Sequence, residues 1–277
     1  MSLRVHHLSC GTLCPLSRRL INGEGGWLEP AHMVCHVLLI ESPAGLVLVD
    51  TGFGEADMAA DTRLPAAFRA QAGLRRRPQD TARAQIVALG LDPGDVRHIL
   101  LTHLDLDHAG GLSDFPEATV HLHLREQQAA STRRSFLERQ RYLPAQLAHG
   151  PRWQTHAPEG EAFHGFAAAR AIPELGEDIL LLPLHGHTHG HSGIAVRGEA
   201  GWLLHCGDAY FHHATLAAQG QPPAGLRGYE RLIAMDNAQR LHNQQRLREL
   251  AAHRPELRLF CSHDPQEYAG LARAAAG

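Results

Sequence analysis

Five times along this chain a short apolar run stops at a histidine or an aspartate. Gly45–Val49 leads into Asp50, the run from Val96 into His103, the run from Ile179 into the cluster His185 to His191, the run from Trp202 into Gly207 and Asp208, and the run from Leu257 into His263 and Asp264. Runs of this length, rich in leucine and β-branched residues, predict buried strands. Polar side chains at so many strand ends predict a site assembled at one edge of packed sheets. Helices are expected between the runs. One covers Thr81 to Leu89, capped by Asp80 and stopped by Gly90; a second covers Glu126 to Gln140; a third runs from Asp236 or Asn237 to about His253, with Leu247, Leu250 and Ala251 on one face. The Gly- and Pro-rich stretches 150–165 and 219–228 read as loops, and no internal repeat is present. The expectation is one mixed α/β domain over residues 1–277.

Composition narrows the function. The chain has 277 residues, enough for a sizeable core, with 26 basic and 29 acidic residues and a net charge of −3. That balance gives no footprint for a phosphate backbone and argues against nucleic acid as a partner. Every basic residue is arginine; the absence of lysine excludes Schiff-base chemistry and the P-loop. No stretch approaches the roughly 18 apolar residues of a membrane span. The N-terminal residues carry no apolar signal-peptide core, so a cytoplasmic protein with no membrane partner is expected. Five scattered cysteines do not make a disulfide framework. The 22 histidines are more than solubility requires and suit a metal binder.

The densest segment, Leu101 to Gly111, holds His103, Asp105, Asp107 and His108 directly after a predicted strand. Imidazole and carboxylate both ligate borderline divalent metals, and a tight turn can aim several of them inward. Taken alone, such residues have capping of a following helix as the lesser alternative. His185, His187, His189 and His191 alternate, with glycines that permit a turn. Asp208 after Gly207, and His263 between Ser262 and Asp264, would be unremarkable in isolation.

In this order the segments resemble the metallo-β-lactamase superfamily, whose pattern is an Asp after a long strand, an H-x-H-x-D-H loop, a G-H-T-x-G-H segment, a bridging Asp and a final His. The matching residues are Asp50; His103, Asp105, Asp107 and His108; His187, Thr188 and His191; Asp208; and His263, spanning about residues 35 to 265. The resemblance implies an α/β fold, the αβ/βα four-layer sandwich, with the metal site at one edge of the sheets. It implies two divalent metal ions. His103 and His187 would hold the first, Asp107, His108 and His263 the second, with Asp208 bridging and Asp50 orienting a ligand histidine. Asp105 stands where the pattern has histidine. A carboxylate there keeps zinc as the family metal while favouring manganese or iron, and the alternative is that it turns away and weakens one position.

Within the superfamily the chain is similar to the acyl-homoserine-lactone lactonases, through Cys10 to Cys14, Val34 to Glu41, Val47 to Gly52, Asp107 to Gly111 and Ser262 to Asp264. The resemblance implies a metal-dependent hydrolase whose bridging hydroxide attacks a carboxylic ester such as an N-acyl homoserine lactone. Asp107 would orient the nucleophile and accept its proton. Where that branch places a tyrosine this chain has Phe211, so Tyr210 or His212 is expected to contact the substrate. Residues 125–170, with Phe136, Tyr142, Trp153 and Phe163, are the expected substrate-facing insertion, although these aromatics could equally pack it onto the sandwich. A glyoxalase II-like thioesterase is the alternative within enzymes. It needs arginines near the site, and none lies close in sequence to a ligand motif. A metal-binding module degenerate through Asp105 is the alternative outside them. Small-molecule esters or lactones are the expected partners, and the resemblance leaves a homodimer open.

Overall fold

Met33–Ile40 is an unbroken run of buried residues, which is what a strand covered on both faces produces. The computed structural model describes residues 3–157 and 160–275; residues 158 and 159, inside the stretch expected to be loop, and the two residues at each end of the predicted domain lie outside the described residues. Around that buried strand two six-stranded sheets form. The first contains β1 (Arg4–Leu13), β2 (Met33–Ser42), β3 (Gly45–Val49), β4 (Val96–Leu100), β5 (Thr119–His123) and β6 (Arg152–His156), paired in chain order. The second contains β7 (Glu161–Phe163), β8 (Phe166–Ile172), β9 (Gly176–Pro183), β10 (Ser192–Gly198), β11 (Gly201–His205) and β12 (Arg258–Phe260), also in chain order.

The sheets pack face to face through Leu38, Ile40, Val47, Val49 and Leu100 on one side and Ile179, Leu181, Ile194, Val196 and Phe260 on the other. Ala82, Ile86, Ala129 and Ala130, from helices Ala82–Ala88 and Leu124–Thr132, cover the outer face of the first sheet. Leu247 and Leu250 of helix Asn237–His253 cover the outer face of the second. This is the expected αβ/βα four-layer sandwich. Pairs β3–β4 and β11–β12 are parallel, so their carboxyl ends share an edge, the place where α/β sheets build sites. Among the described residues no helix is long and apolar enough to cross a membrane.

Several local expectations are corrected. The helix expected over Glu126 to Gln140 is two helices, Leu124–Thr132 and Phe136–Arg141. Arg133 adopts a left-handed φ of 44°, and Ser135 opens a new capping box with Glu138. Thr81, not Asp80, caps Ala82–Ala88 by accepting from Ala84 N, while Asp80 pairs with Arg77. The expected loop 150–165 contains β6 and β7, because β6 finds the open edge of β5 and pairs with it in parallel. The loop expected at 219–228 gives way at Pro223 to helix Ala224–Ile233.

Candidate metal centre

The shared edge collects His103, Asp105, Asp107 and His108 after β4, His187 between β9 and β10, Asp208 after β11 and His263 after β12. Local backbone chemistry fixes each loop. Asp50, at a left-handed φ of 59°, accepts from Thr102 N through Oδ1, and from Thr102 Oγ1 and His108 Nδ1 through Oδ2, each at 2.8 Å. With its own proton on Asp50, Thr102 Oγ1 accepts from His103 Nδ1 at 2.9 Å. His263 Nδ1 donates to Val34 O at 2.8 Å. In all three rings the proton on Nδ1 leaves the Nε2 lone pair pointing inward, the tautomer that ligation needs.

His191 takes no part in that inner set. Its Nδ1 donates to Leu184 O and its Nε2 accepts from Asp208 N, both at 2.9 Å, and burial pushes its pKa down to about 3. It therefore stays neutral and holds the Asp208 turn. A Cβ at Gly207 would lie 2.5 Å from this ring nitrogen, so only glycine fits there.

Asp208 faces both halves of the cluster. Its Oδ1 lies 3.1 Å from His263 Nε2 and 3.3 Å from His108 Nε2, while its Oδ2 lies 3.4 Å from His187 Nε2 and 3.7 Å from His103 Nε2. Donor atoms of His103, Asp105, His187 and Asp208 lie within 4.8 Å of one another, as do those of His108, Asp208 and His263. Asp107 joins the second group, with Oδ2 3.6 Å from His263 Nε2 and Oδ1 3.8 Å from His108 Nε2. The Nε2 atoms of His103 and His108 and Oδ1 of Asp208 are buried without a hydrogen-bond partner. Unpartnered buried donors and acceptors are costly. Lone pairs of two imidazoles and a carboxylate converging this way fit a divalent cation at each position.

Asp105 does not turn away: its Oδ2 lies 3.0 Å from His187 Nε2 and 3.3 Å from His103 Nε2. Asp105 and Asp107 are also the two members that reach the opening, their side chains 16% and 14% exposed against 4% or less for the other five. Their environments push them apart. Burial alone would raise Asp105, but Arg141 and His103 outweigh it and hold the carboxyl well below the usual range. Asp107 is raised, by burial and by the neighbouring carboxylates, against His108 and His263.

Arg141, the arginine that sequence spacing did not reveal, is 5% exposed, with Nε 3.2 Å from Asp105 Oδ1. Its terminal nitrogens donate to His187 O at 3.0 Å and Ile233 O at 2.8 Å. Glu126 was missed as well. Its carboxylate accepts from Leu104 N, Tyr142 Oη, Thr188 Oγ1 and Gly190 N at 2.7–3.1 Å, tying both ligand loops to the segment that carries Arg141. Cys35 on β2 brings its thiol within 4.8 Å of donor atoms of Asp107 and His263, and burial pushes that thiol up. Nothing in the local sequence marks these three, because their partners are 16 to 228 positions away.

The expected substrate contacts lie elsewhere. Tyr210 is fully buried, its phenol donating to Glu267 at 3.0 Å. His212 stacks on His213 and lines a cleft of about 100 Å³ with Arg18, Asn22, His32 and Asp264. Phe211 does reach the cluster, its ring centroid 5.0 Å from that of His263 and 5.9 Å from that of His187. Beside it, at 6.0 Å, stands the partly exposed Tyr229 of helix Ala224–Ile233. Of the aromatics in 125–170, Tyr142, Trp153, Phe163 and Phe166 pack into the sandwich and Phe136 is exposed. His189 is half exposed, 3.4 Å from Glu138.

A family model describing the metallo-β-lactamase superfamily matches residues 32–263. A probable metallo-hydrolase of Mycobacterium tuberculosis is 42% identical over 267 residues, which is 96% of this chain and 82% of that protein. An N-acyl homoserine lactonase of Azorhizobium caulinodans is 27% identical over 192 residues, 69% of this chain and 66% of that one. Among solved structures, an N-acyl homoserine lactone hydrolase with the product N-hexanoyl-L-homoserine at its catalytic metal centre superposes with a TM-score of 0.70 at 20% identity, covering 98% of this chain and 97% of that chain.

Proposed function

The chain belongs to the metallo-β-lactamase superfamily and is a metallo-hydrolase, and from that premise we propose that it opens carboxylic esters of the lactone type, N-acyl homoserine lactones first among them. The observation that carries this reading is Asp208, whose two oxygens face two separate pairs of imidazoles. The lactonase relatives support the choice of substrate.

In this reading His103, His187 and Asp105 would hold one divalent cation, and Asp107, His108 and His263 another, with Asp208 available to both. Once bound, such a pair polarises a carbonyl oxygen and acidifies water. Zinc is the resident metal we propose from the family, with manganese or iron favoured by the Asp105 carboxylate.

The chain's own groups divide the remaining work. Asp107 sits at the opening, its side chain 14% exposed, where it would take the proton of the attacking water and return one to the leaving alkoxide. Asp105, held ionised, keeps to charge and orientation. Tyr229 is pushed up to about 12 by burial and by Asp107, Asp105 and Asp208. Its phenol keeps its proton at neutral pH and donates to a substrate oxygen from the rim, the role that buried Tyr210 cannot fill. Arg141 is buried, its terminal nitrogens donating to two backbone oxygens and its Nε against Asp105, so it offers nothing to the glutathione carboxylates of a thioesterase substrate.

Ring opening yields a carboxylic acid and therefore releases a proton. Proton release from a long-chain N-acyl homoserine lactone, before and after chelation and with zinc, manganese and iron in parallel, tests the reading. Turnover that chelation removes and metal restores is the expected result. A fully loaded enzyme inert with every metal would end the lactone reading.

A further inference from the structure

Asp105 brings a negative charge to a place where the family pattern has a neutral imidazole, and the structure sets a buried guanidinium directly behind it. Asp105 uses its two oxygens differently: Oδ2 faces His187 and His103 at 3.0 and 3.3 Å, and Oδ1, which has no hydrogen-bond partner, is paired with Arg141 by charge alone, its Nε 3.2 Å away. Arg141 is itself fixed. It ends a helix opened by the Ser135–Glu138 capping box. Its terminal nitrogens donate to Ile233 O and to the backbone oxygen of His187, another member of the same donor set. The next residue, Tyr142, is anchored through its hydroxyl on Glu126, which also holds the two ligand loops. A guanidinium held so rigidly cannot follow a wandering carboxylate; it sets where the carboxylate stands.

We propose that Arg141 is a positioning residue of the first metal position: it holds Asp105 by one oxygen so that the other faces His103 and His187, and it offsets the charge, so that the Asp105–Arg141 pair replaces one neutral histidine as a unit. The inference rests on the reading that this cluster holds cations. Without Arg141, Asp105 can swing through the opening it partly occupies and leave two imidazoles and half of Asp208 to hold the ion. Conversely, a histidine at 105 leaves Arg141 as an uncompensated buried charge beside a cation.

The two substitutions therefore correct one another, which a merely structural arginine would not do. The experiment measures zinc per chain by elemental analysis and zinc affinity by competition with a chromogenic chelator, on the wild type, Arg141→Met, Asp105→His and the double variant. Arg141→Met is expected to weaken zinc binding at one position by about 10- to 100-fold, the usual cost of losing a partner that orients a ligand. Asp105→His alone is also expected to lose zinc, and Asp105→His/Arg141→Met to regain it to within a few-fold of wild type. Equal losses from Arg141→Met in both backgrounds, or no loss in either, overturn the inference. A wild type that binds no zinc, manganese or iron overturns the metal reading instead. If Arg141→Met does not fold, the comparison of Asp105→His with the double variant still decides: more zinc in the double variant supports the pair, and equal zinc overturns it.

Discussion

Asp208 turns its two oxygens to opposite pairs of imidazoles, and its backbone is pinned by His191. Removing that carboxylate takes one donor from each position at once. Asp208→Ala is therefore expected to lower metal content at both positions and to abolish hydrolysis, whereas His189→Ala, on a half-exposed ring beside Glu138, keeps both. Elemental analysis of the two variants checks this, and equal metal loss would sink the assignment. The seven members of the cluster were legible in the sequence because the order of their motifs resembles the family's pattern; the apolar runs before them marked only the strand ends. The histidine count was a poorer guide. Most of the 22 lie outside the cluster, some in the sheets themselves. Across the parallel strands β4, β5 and β6, His98 Nδ1 meets His121 Nε2 at 3.0 Å and His121 Nδ1 meets His156 Nε2 at 3.1 Å. Such a ladder depends on strand register, which no spacing along the chain announces.

Helices Leu124–Thr132 and Phe136–Arg141 act on the site through single residues at or near their ends. Glu126 accepts four hydrogen bonds from three segments, and burial still raises its carboxyl. Glu126→Ala leaves Leu104 N, Gly190 N and the hydroxyls of Thr188 and Tyr142 without their acceptor. At about 1–3 kcal/mol for a buried group left unsatisfied, the variant should lose about 3 kcal/mol or more in urea unfolding. A loss under about 1 kcal/mol would mean that the loops hold themselves. Periodicity predicted one helix across this stretch because Arg133 and Ser135 interrupt no apolar pattern. The break lies in backbone conformation, and it is what brings Arg141 to the site. The five runs gave β3, β4, β9, β11 and β12. Strands such as β6 and β7 were hidden because short, polar edge strands exist only by pairing with a neighbour.

Over the whole molecule, buried neutral histidines set the response to acid. Burial is the largest cause in pushing His7 and His123 down to about 4 and His121 and His191 down to about 3. The unfolded chain protonates each near 6.5 and the folded chain does not. The stability they contribute is thus present above pH 6.5 and is lost as pH falls toward 4. Glu267, raised to about 8, and Asp114, raised to about 6, both chiefly by burial, work in the opposite sense, favouring the folded state at low pH. His108 and His263, raised against burial chiefly by Asp208, change protonation above this window. Further histidines, His36, His98, His156 and His205 among them, are lowered in the same sense and outnumber the further raised carboxyls Asp57, Glu126 and Glu230. The balance is a net loss, at about 1.4 kcal/mol per pH unit for each unmatched proton. Urea unfolding in the presence of chelator, followed from pH 6.5 to 5, should give a falling free energy; a flat or rising one would contradict the burial of these rings. The placement of the donor set has a mechanical consequence as well. His103, Asp105, Asp107 and His108 hang from the first sheet, and His187, Asp208 and His263 from the second. Any ion gripped by both groups is a rivet through the seam of the sandwich. The cohesion of the two halves then follows the supply of free ion, rising with its concentration by mass action, so that a cell starved of that ion would meet a looser protein as well as an idle one.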